Sequence, residues 1–391
     1  MIQLHRKEDC CGCSACESIC GKSAIMLVHD KEGFLYPQVD VTKCVDCHLC
    51  EKVCPLSKRK DRDDYTIENQ HFYAARHNDN EVLMQSSSGG AFSAFARVVL
   101  NQDGVVFGAT YDSNMKVCHV AIDKEEDLWK LRGSKYVQSD IRGVFHEIKA
   151  YLNSGRYVLF SGTPCQVDGL RHFLRKDEDH LFTIDLVCHA AGSPALFHDY
   201  IKYLERKYKK RVVWMNMRDK TKQGWSHHFI QSVYFESGKK VYQNDNMITW
   251  WSIYYSHMTN RPSCHECKYA NYERPGDITL ADFWDDNKTR TDVYSKDGTS
   301  LCVVNSKKGN DFFEKAKKKL LIWEVAKEES WQPCLESPTP QSPNRTAFWQ
   351  CYSQNGSVDA FKKYCYTPFL IRYKWIIKDY IAKLIGYAPK N

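Results

Sequence analysis

No stretch of this 391-residue chain is long and apolar enough to span a bilayer, and its opening residues, MIQLHRKEDCCGC, hold no apolar core of a secretory signal. Both absences predict a cytoplasmic protein, in which cysteines stay reduced or bind metal rather than pair as disulfides. No internal repeat is visible beyond a doubled run of cysteines. The length exceeds one compact core, so two or three domains are expected. A hydrophobic share of 43% is that of a soluble globular chain.

What the chain does have is cysteine, eighteen residues of it. Eight fall in two runs of one spacing, Cys10-x2-Cys13-x2-Cys16-x3-Cys20 and Cys44-x2-Cys47-x2-Cys50-x3-Cys54-Pro55. This is the ligand pattern of a bacterial ferredoxin with two 4Fe-4S clusters. Three thiolates on a tight loop cap three corners of a cubane, while the fourth, one helical step further on, points to the other cluster. Cys10, Cys13, Cys16 and Cys54 are therefore assigned to one cluster, and Cys44, Cys47, Cys50 and Cys20 to the second. Structural zinc uses separated pairs or Cys/His sets, and a disulfide scaffold needs an oxidising compartment. Cys11, inside the first run, replaces Cys10 as ligand if that turn shifts by one residue. The pattern makes the chain a handler of single electrons.

Residues 1–56 read as the dicluster domain, with a short hairpin between the runs, and 57–70 as a charged, proline-free linker. From 71 to 325 short apolar runs alternate with helical patterns, which argues a mixed α/β domain. Strands are expected at 72–76, 105–111, 157–160, 182–187, 229–235, 278–281 and 301–305. Helices are expected to begin near Gly90, Asp140, Cys165 and Pro194, the last capped by Ser193. The fold class is thus α+β or mixed α/β, a small ferredoxin-like domain followed by a larger mixed-sheet domain and a helical tail. Residues 326–391 read as an irregular, proline-bearing segment and a basic amphipathic helix with Leu370, Tyr373, Ile377, Ile381 and Leu384 on one face. Such a helix either lies on the inner face of an anionic membrane or docks on its own domain.

Four more cysteines stand in distinctive settings: Cys165 after Gly162-Thr-Pro, Cys188 in Asp185-Leu-Val-Cys-His, and the pair Cys264-x2-Cys267. The first two each follow an apolar strand, where sites on open sheets are commonly built. Four thiolates from three elements suit a third 4Fe-4S cluster or a zinc ion, and spacing alone does not choose. The formal charge of +7 counts every cysteine as neutral. Three four-thiolate clusters at about −2 each would leave roughly +1, so no nucleic-acid partner is implied.

The series Ser86-Ser-Ser-Gly-Gly90, Gly133-Ser-Lys-Tyr-Val-Gln-Ser139, Gly162-Thr-Pro-Cys-Gln166, Asp185-Leu-Val-Cys-His189, Cys264-x2-Cys267 and Gly276-Asp-Ile-Thr-Leu-Ala-Asp-Phe-Trp284 resembles the coenzyme F420 hydrogenase/dehydrogenase beta-subunit family. The resemblance covers roughly residues 72–306. It implies an FAD-binding oxidoreductase domain with one 4Fe-4S cluster beside the flavin, and it favours that cluster over zinc for Cys165, Cys188, Cys264 and Cys267.

On that basis Ser87, Ser88, Gly89 and Gly90, before a helical run, would hold a pyrophosphate on free backbone N–H groups. Lys135, between Ser134 and Tyr136, would place positive charge near the flavin N1/O2 edge. Gly162 and Thr163 would bring backbone close to flavin or cluster. His189 and Asp282, each at a strand end inside a motif, are the candidate proton handlers. The chain carries His189-Ala-Ala-Gly and Leu280-Ala-Asp-Phe-Trp-Asp-Asp where the family pattern has glycine, which removes close-approach positions beside the expected substrate pocket.

The resulting expectation is an iron–sulfur flavoprotein that relays electrons from ferredoxin-type clusters through a third cluster to FAD, for two-electron chemistry on an organic molecule. Its partners would be a ferredoxin-like redox protein and that substrate. The alternatives are an electron-transfer subunit without a substrate of its own, or an F420-linked dehydrogenase or hydrogenase subunit.

Overall fold

The computed structural model describes residues 1–58, 70–227, 229–243, 247–284 and 290–366. The expected C-terminal amphipathic helix and most of the expected linker lie outside the described residues. The expected α+β organisation is observed. An antiparallel hairpin of β1 (Ile25–His29) and β2 (Leu35–Val39) joins the two cysteine loops. The large sheet has eight strands, β3 (His71–His77), β4 (Val105–Tyr111), β5 (Val117–Ile122), β6 (Val158–Gly162), β7 (Leu181–Leu186), β11 (Ile278–Asp282), β12 (Ser300–Val304) and β13 (Leu320–Glu324). A three-stranded antiparallel sheet holds β8 (Val212–Asn216), β9 (Gln231–Phe235) and β10 (Lys240–Gln243).

In the large sheet the order is β13-β3-β12-β11-β7-β6-β4-β5. The middle four, β11, β7, β6 and β4, run parallel, and antiparallel strands close both flanks. The parallel strands are apolar on both faces, as a sheet covered on both sides requires: β6 is buried along its whole length. The Ala91–Leu100 and Lys307–Ala316 helices cover one face through Phe95, Phe312 and Phe313. Each such ring contributes roughly 1.5–3 kcal/mol on burial. The Val144–Asn153 and Pro164–Leu174 helices cover the other, and their core continues without a break into Cys11, Cys13, Ala15 and Val53 of the dicluster domain.

Glycine marks where that domain meets the sheet domain most closely. A Cβ on Gly12 would stand 2.7 Å from Gln138 Nε2 and 2.8 Å from Arg261 Nη1, and one on Gly169 would stand 2.9 Å from Cys13 Sγ. Gly12 also adopts φ +71°, a left-handed conformation that disfavours a side chain.

The third core joins the small sheet to the Pro194–Tyr208 helix and to helices at Arg345–Asn355 and Ser357–Tyr364. The segment expected to be irregular is therefore helical over Arg345–Asn355 and Ser357–Tyr364, either side of Gly356, because Phe348 and Phe361 are wholly buried there. Ser193 caps its helix as expected, accepting from Leu196 N at 3.1 Å. The helix expected near Asp140 starts at Val144, since Asp140 is used as a bridge to Cys118.

Candidate functional site

The two cysteine runs fold alike. Each passes through a left-handed residue, Ser14 (φ 63°) or His48 (φ 58°), into one helical turn, Ala15–Ser18 or Leu49–Lys52. Cys10 and Cys16 lie close to Cys54 across the domain, and Cys16 lies close to Cys50. Backbone N–H groups point at sulfur: Ile2 N to Cys50 Sγ and Ala24 N to Cys20 Sγ, both at 3.3 Å. The hydroxyls of Ser14, Ser18 and Tyr36 are buried with no hydrogen-bond partner among the described residues. Converging thiols, N–H donors aimed at them and orphaned hydroxyls fit an anionic iron–sulfur centre, whose sulfurs accept such bonds.

Cys165, Cys188, Cys264 and Cys267 also come together. Cys165 sits in the first turn of the Pro164–Leu174 helix, just beyond β6; Cys188 follows β7; Cys264 and Cys267 lie on and after the Pro262–Glu266 turn. Ala191 N donates to Cys264 Sγ at 3.3 Å, and Tyr269 N to Cys267 Sγ at 3.4 Å. Burial, then the neighbouring Cys267, pushes the Cys264 thiol up to about 12. A thiol so raised is neutral until a cation binds it, and a coordinated thiol is deprotonated outright.

Two further thiols reach the set. Cys11 contacts both Cys13 and Cys165, and Cys334 approaches His189 Nδ1 at 3.5 Å close to Cys188 and Cys267. The irregular Gln332-Pro-Cys334 context of the second carries no signal in the sequence.

A cavity of about 850 Å³ opens at the carboxyl ends of the parallel strands, the usual place for ligands on such sheets. Its wall includes Cys11 and Cys54, the third cysteine set, and the Ser86–Ser88, Gly133–Tyr136 and Gly162–Thr163 segments. The Ala91–Leu100 helix begins on Gly90 with no side-chain cap, so its first N–H groups face the cavity end unclaimed by a side chain. Ser87 Oγ accepts from Ser134 N at 2.8 Å, tying two of these segments together, while Gly89 lies against the backbone of Ala75 and Ser300. Volume and an open helix N-terminus fit a dinucleotide.

Lys135 is turned so that Nζ donates to Arg132 O at 2.8 Å and Lys130 O at 3.2 Å, with the Trp214 ring 5.6 Å away. Burial lowers its amine to about 7. Tyr136 packs against Trp251 and Tyr254. A directed chain of hydrogen bonds fixes the turn that carries Cys165. His119 Nε2 donates to Ser161 O at 2.9 Å, so its Nδ1 accepts from Ser139 Oγ. That hydroxyl accepts from Gln166 Nε2, and Gln166 Oε1 accepts from Thr163 N at 3.0 Å.

Both proposed proton handlers lie on the cavity wall and have partners. His189 Nε2 is 3.0 Å from His257 Nε2, and burial, then His257, lowers its imidazole to about 4. Asp282 takes a two-pronged bond from Arg218 (2.6 and 2.9 Å) and one from Trp225 Nε1 (2.9 Å). Arg218 was not legible in sequence, since sixty-odd residues separate it from Asp282. Asp185 and Asp277 of the motifs are structural. Arg274 holds Asp185 at 2.6 Å and Arg171 holds Asp277 at 3.0 Å, pinning β7 to β11.

Family models for the N-terminal and C-terminal parts of the coenzyme F420 hydrogenase/dehydrogenase beta subunit match residues 72–145 and 155–330. The chain belongs to this family. A 4Fe-4S dicluster model matches residues 9–57 ahead of it, so this family member carries an iron–sulfur domain at its N-terminal side. A chain of the F420-reducing [NiFe] hydrogenase complex from Methanosarcina barkeri is similar in structure, with 21% identity and a TM-score of 0.46 over 77% of this chain and 91% of that one. No curated protein matches the chain. Among the described residues no helix is long and apolar enough to cross a membrane. Among them also, no three or more His, Cys, Asp or Glu side chains are grouped to hold a metal ion.

Proposed function

We propose that this family member is an iron–sulfur flavoprotein oxidoreductase. Single electrons are taken up at the dicluster domain, ligated by Cys10, Cys13, Cys16 and Cys54 and by Cys44, Cys47, Cys50 and Cys20. They are passed over a third 4Fe-4S site at Cys165, Cys188, Cys264 and Cys267 to FAD, for two-electron reduction or oxidation of an organic molecule. The observation that carries this reading is one cavity whose wall is built from all three sources: dicluster thiols, the third cysteine set and the dinucleotide-type segments.

FAD, when bound, exchanges electrons singly with clusters and in pairs with organic molecules. The chain's own contribution is positional. Ser87, Ser88, Gly89 and the open helix start at Gly90 would hold the pyrophosphate. The Gly162–Thr163 turn is locked by Gln166 so that Cys165 and cavity share one wall. Tyr136 and Tyr254, in edge-on contact at 5.3 Å, form part of the cavity wall.

A second reading, an electron-transfer subunit with no substrate of its own, is favoured by His189 and Asp282 both being engaged internally. One experiment separates them. Anaerobically purified chain is expected to hold about twelve irons and one FAD, and a candidate organic substrate is expected to change its flavin absorbance with no partner present. Fewer than about eight irons would sink the two-cluster assignment. FAD that responds only when a partner protein is added would establish the subunit reading.

A further inference from the structure

Arg261 is 1% exposed and sits where the dicluster domain meets the third cysteine set. Its guanidinium donates from Nε to Cys10 O at 2.8 Å, from Nη1 to Gln138 Oε1 at 2.8 Å and from Nη2 to Leu35 O at 2.9 Å, with Cys10 Sγ 3.4 Å from Nη2. Tyr36 lies under it at 4.4 Å. Its backbone carbonyl accepts from Cys264 N at 2.9 Å, so one residue touches a cysteine loop on each side. Gln138, which it orients, donates in turn to Cys11 O at 2.9 Å.

Its charge is unusual for this fold. Arg218, Arg274 and Arg345 are buried too, and each holds a carboxylate: Asp282, Asp185 and Glu32. Among the described residues no carboxylate lies within ion-pair distance of Arg261; the ionisable groups beside it include Cys10, Tyr36, Cys11, Cys264 and Cys165. A buried cation without a counter-ion is strongly unfavourable, so the negative charge must come from what the thiols bind. Four-thiolate 4Fe-4S centres are anionic.

We infer that Arg261 is the shared counter-charge of two iron–sulfur centres, one ligated by Cys10 and the other by Cys264, and that it raises the potential of both. This rests on the reading of a third cluster given above. Arg261 acts as a positioning residue for electron passage across Cys11, whose thiol contacts Cys13 and Cys165. In that passage one electron leaves the reduced centre on the Cys10 side and is gained by the centre on the Cys264 side. No bond forms or breaks, and a low-potential one-electron donor such as a reduced ferredoxin supplies the electron. A positive charge nearby favours the more negative, reduced form, which fixes the sign of the effect.

The test is EPR-monitored potentiometry on the whole, anaerobically purified chain, comparing wild type with Arg261→Gln and Arg261→Lys, each with its iron count. Arg261→Gln is expected to move two centres to more negative potential and leave the solvent-facing centre unmoved, while Arg261→Lys, which keeps the charge, stays near wild type. Iron lost in Arg261→Gln but kept in Arg261→Lys would support the same claim, because charge would then be what assembly needs. Unchanged potentials in fully loaded Arg261→Gln, or equal iron loss in both variants, would overturn it. Wild type with about eight irons would instead remove the third cluster. The shift of the Cys10-side centre alone would then decide whether Arg261 is its counter-charge.

Discussion

The two cysteine loops have the same spacing and the same local turn, yet opposite surroundings. In the first run Cys13 and Cys16 are buried, and Cys13 packs on the Pro164–Leu174 helix beneath the large sheet. In the second, Cys47 is exposed, as are the nearby Val41 and Val45. Identical ligand chemistry in unlike surroundings separates the roles of the centres: one faces solvent and any redox partner, the other faces Arg261, Cys11 and the third cysteine set. The difference arises from docking rather than from the loops themselves, since Gly12, Gly169 and Arg261 all act on the first loop only.

The largest expected effects come from removing a ligand. Cys10→Ala and Cys47→Ala should each cost about four irons per chain, whereas Cys11→Ala, which removes the thiol facing Cys165, should cost none. An iron count that falls in Cys11→Ala and not in Cys10→Ala would reverse the assignment within the first run. Controlled exposure to air or a chelator should next erase the EPR signal lost in Cys47→Ala well before the signal lost in Cys10→Ala, because access governs cluster attack. Simultaneous decay would abolish the distinction between an outer and an inner centre.

Docking makes a smaller, graded prediction. Gly12→Val meets Arg261 and Gln138 and must hold φ +71°, so it should cost roughly 2–4 kcal/mol in the unfolding of the loaded chain. Gly21→Val, whose Cβ has nothing within 4 Å, should fall within about 0.5 kcal/mol of wild type. A pH dependence is expected at Lys135, which lies outside both cysteine loops. Burial lowers its amine to about 7 from an unfolded value of 10.5, so between those values the unfolded chain binds the extra proton and stability rises with pH. Lys135→Met should lack this slope, so the stability of wild type relative to the variant should grow by up to about 1.4 kcal/mol per pH unit across that window, read by denaturant midpoints at several pH values. A difference that does not grow with pH would show that the amine is not held neutral.

Both cysteine runs were legible because iron ligation demands thiolates at short, repeated spacing, and β4, β6, β7, β11 and β12 because buried strands read as apolar runs. The strands that escaped, β5, β8, β10 and β13, are all edge strands of their sheets, where half or more of the residues are only partly buried or exposed. The third cysteine set was legible as candidates, and its convergence comes from strand ends only the fold brings together. The roles of Arg218 and Arg261, and of Gln138 within its motif, were not legible for one reason: each acts on a partner more than sixty residues away. Arg261 did leave a trace, standing three residues before Cys264 in Asn-Arg-Pro-Ser-Cys.

The central claim is that electrons travel inward from the exposed loop, past Arg261, to the cavity. Rapid freeze-quench EPR with parallel stopped-flow flavin absorbance, after mixing the whole chain with a reduced ferredoxin, follows that order directly. The account predicts that the centre lost in Cys47→Ala is reduced first, the centre lost in Cys10→Ala next and the flavin last, and that Cys47→Ala slows everything downstream. Flavin reduction at the wild-type rate in a Cys47→Ala chain that lacks its outer centre would contradict it.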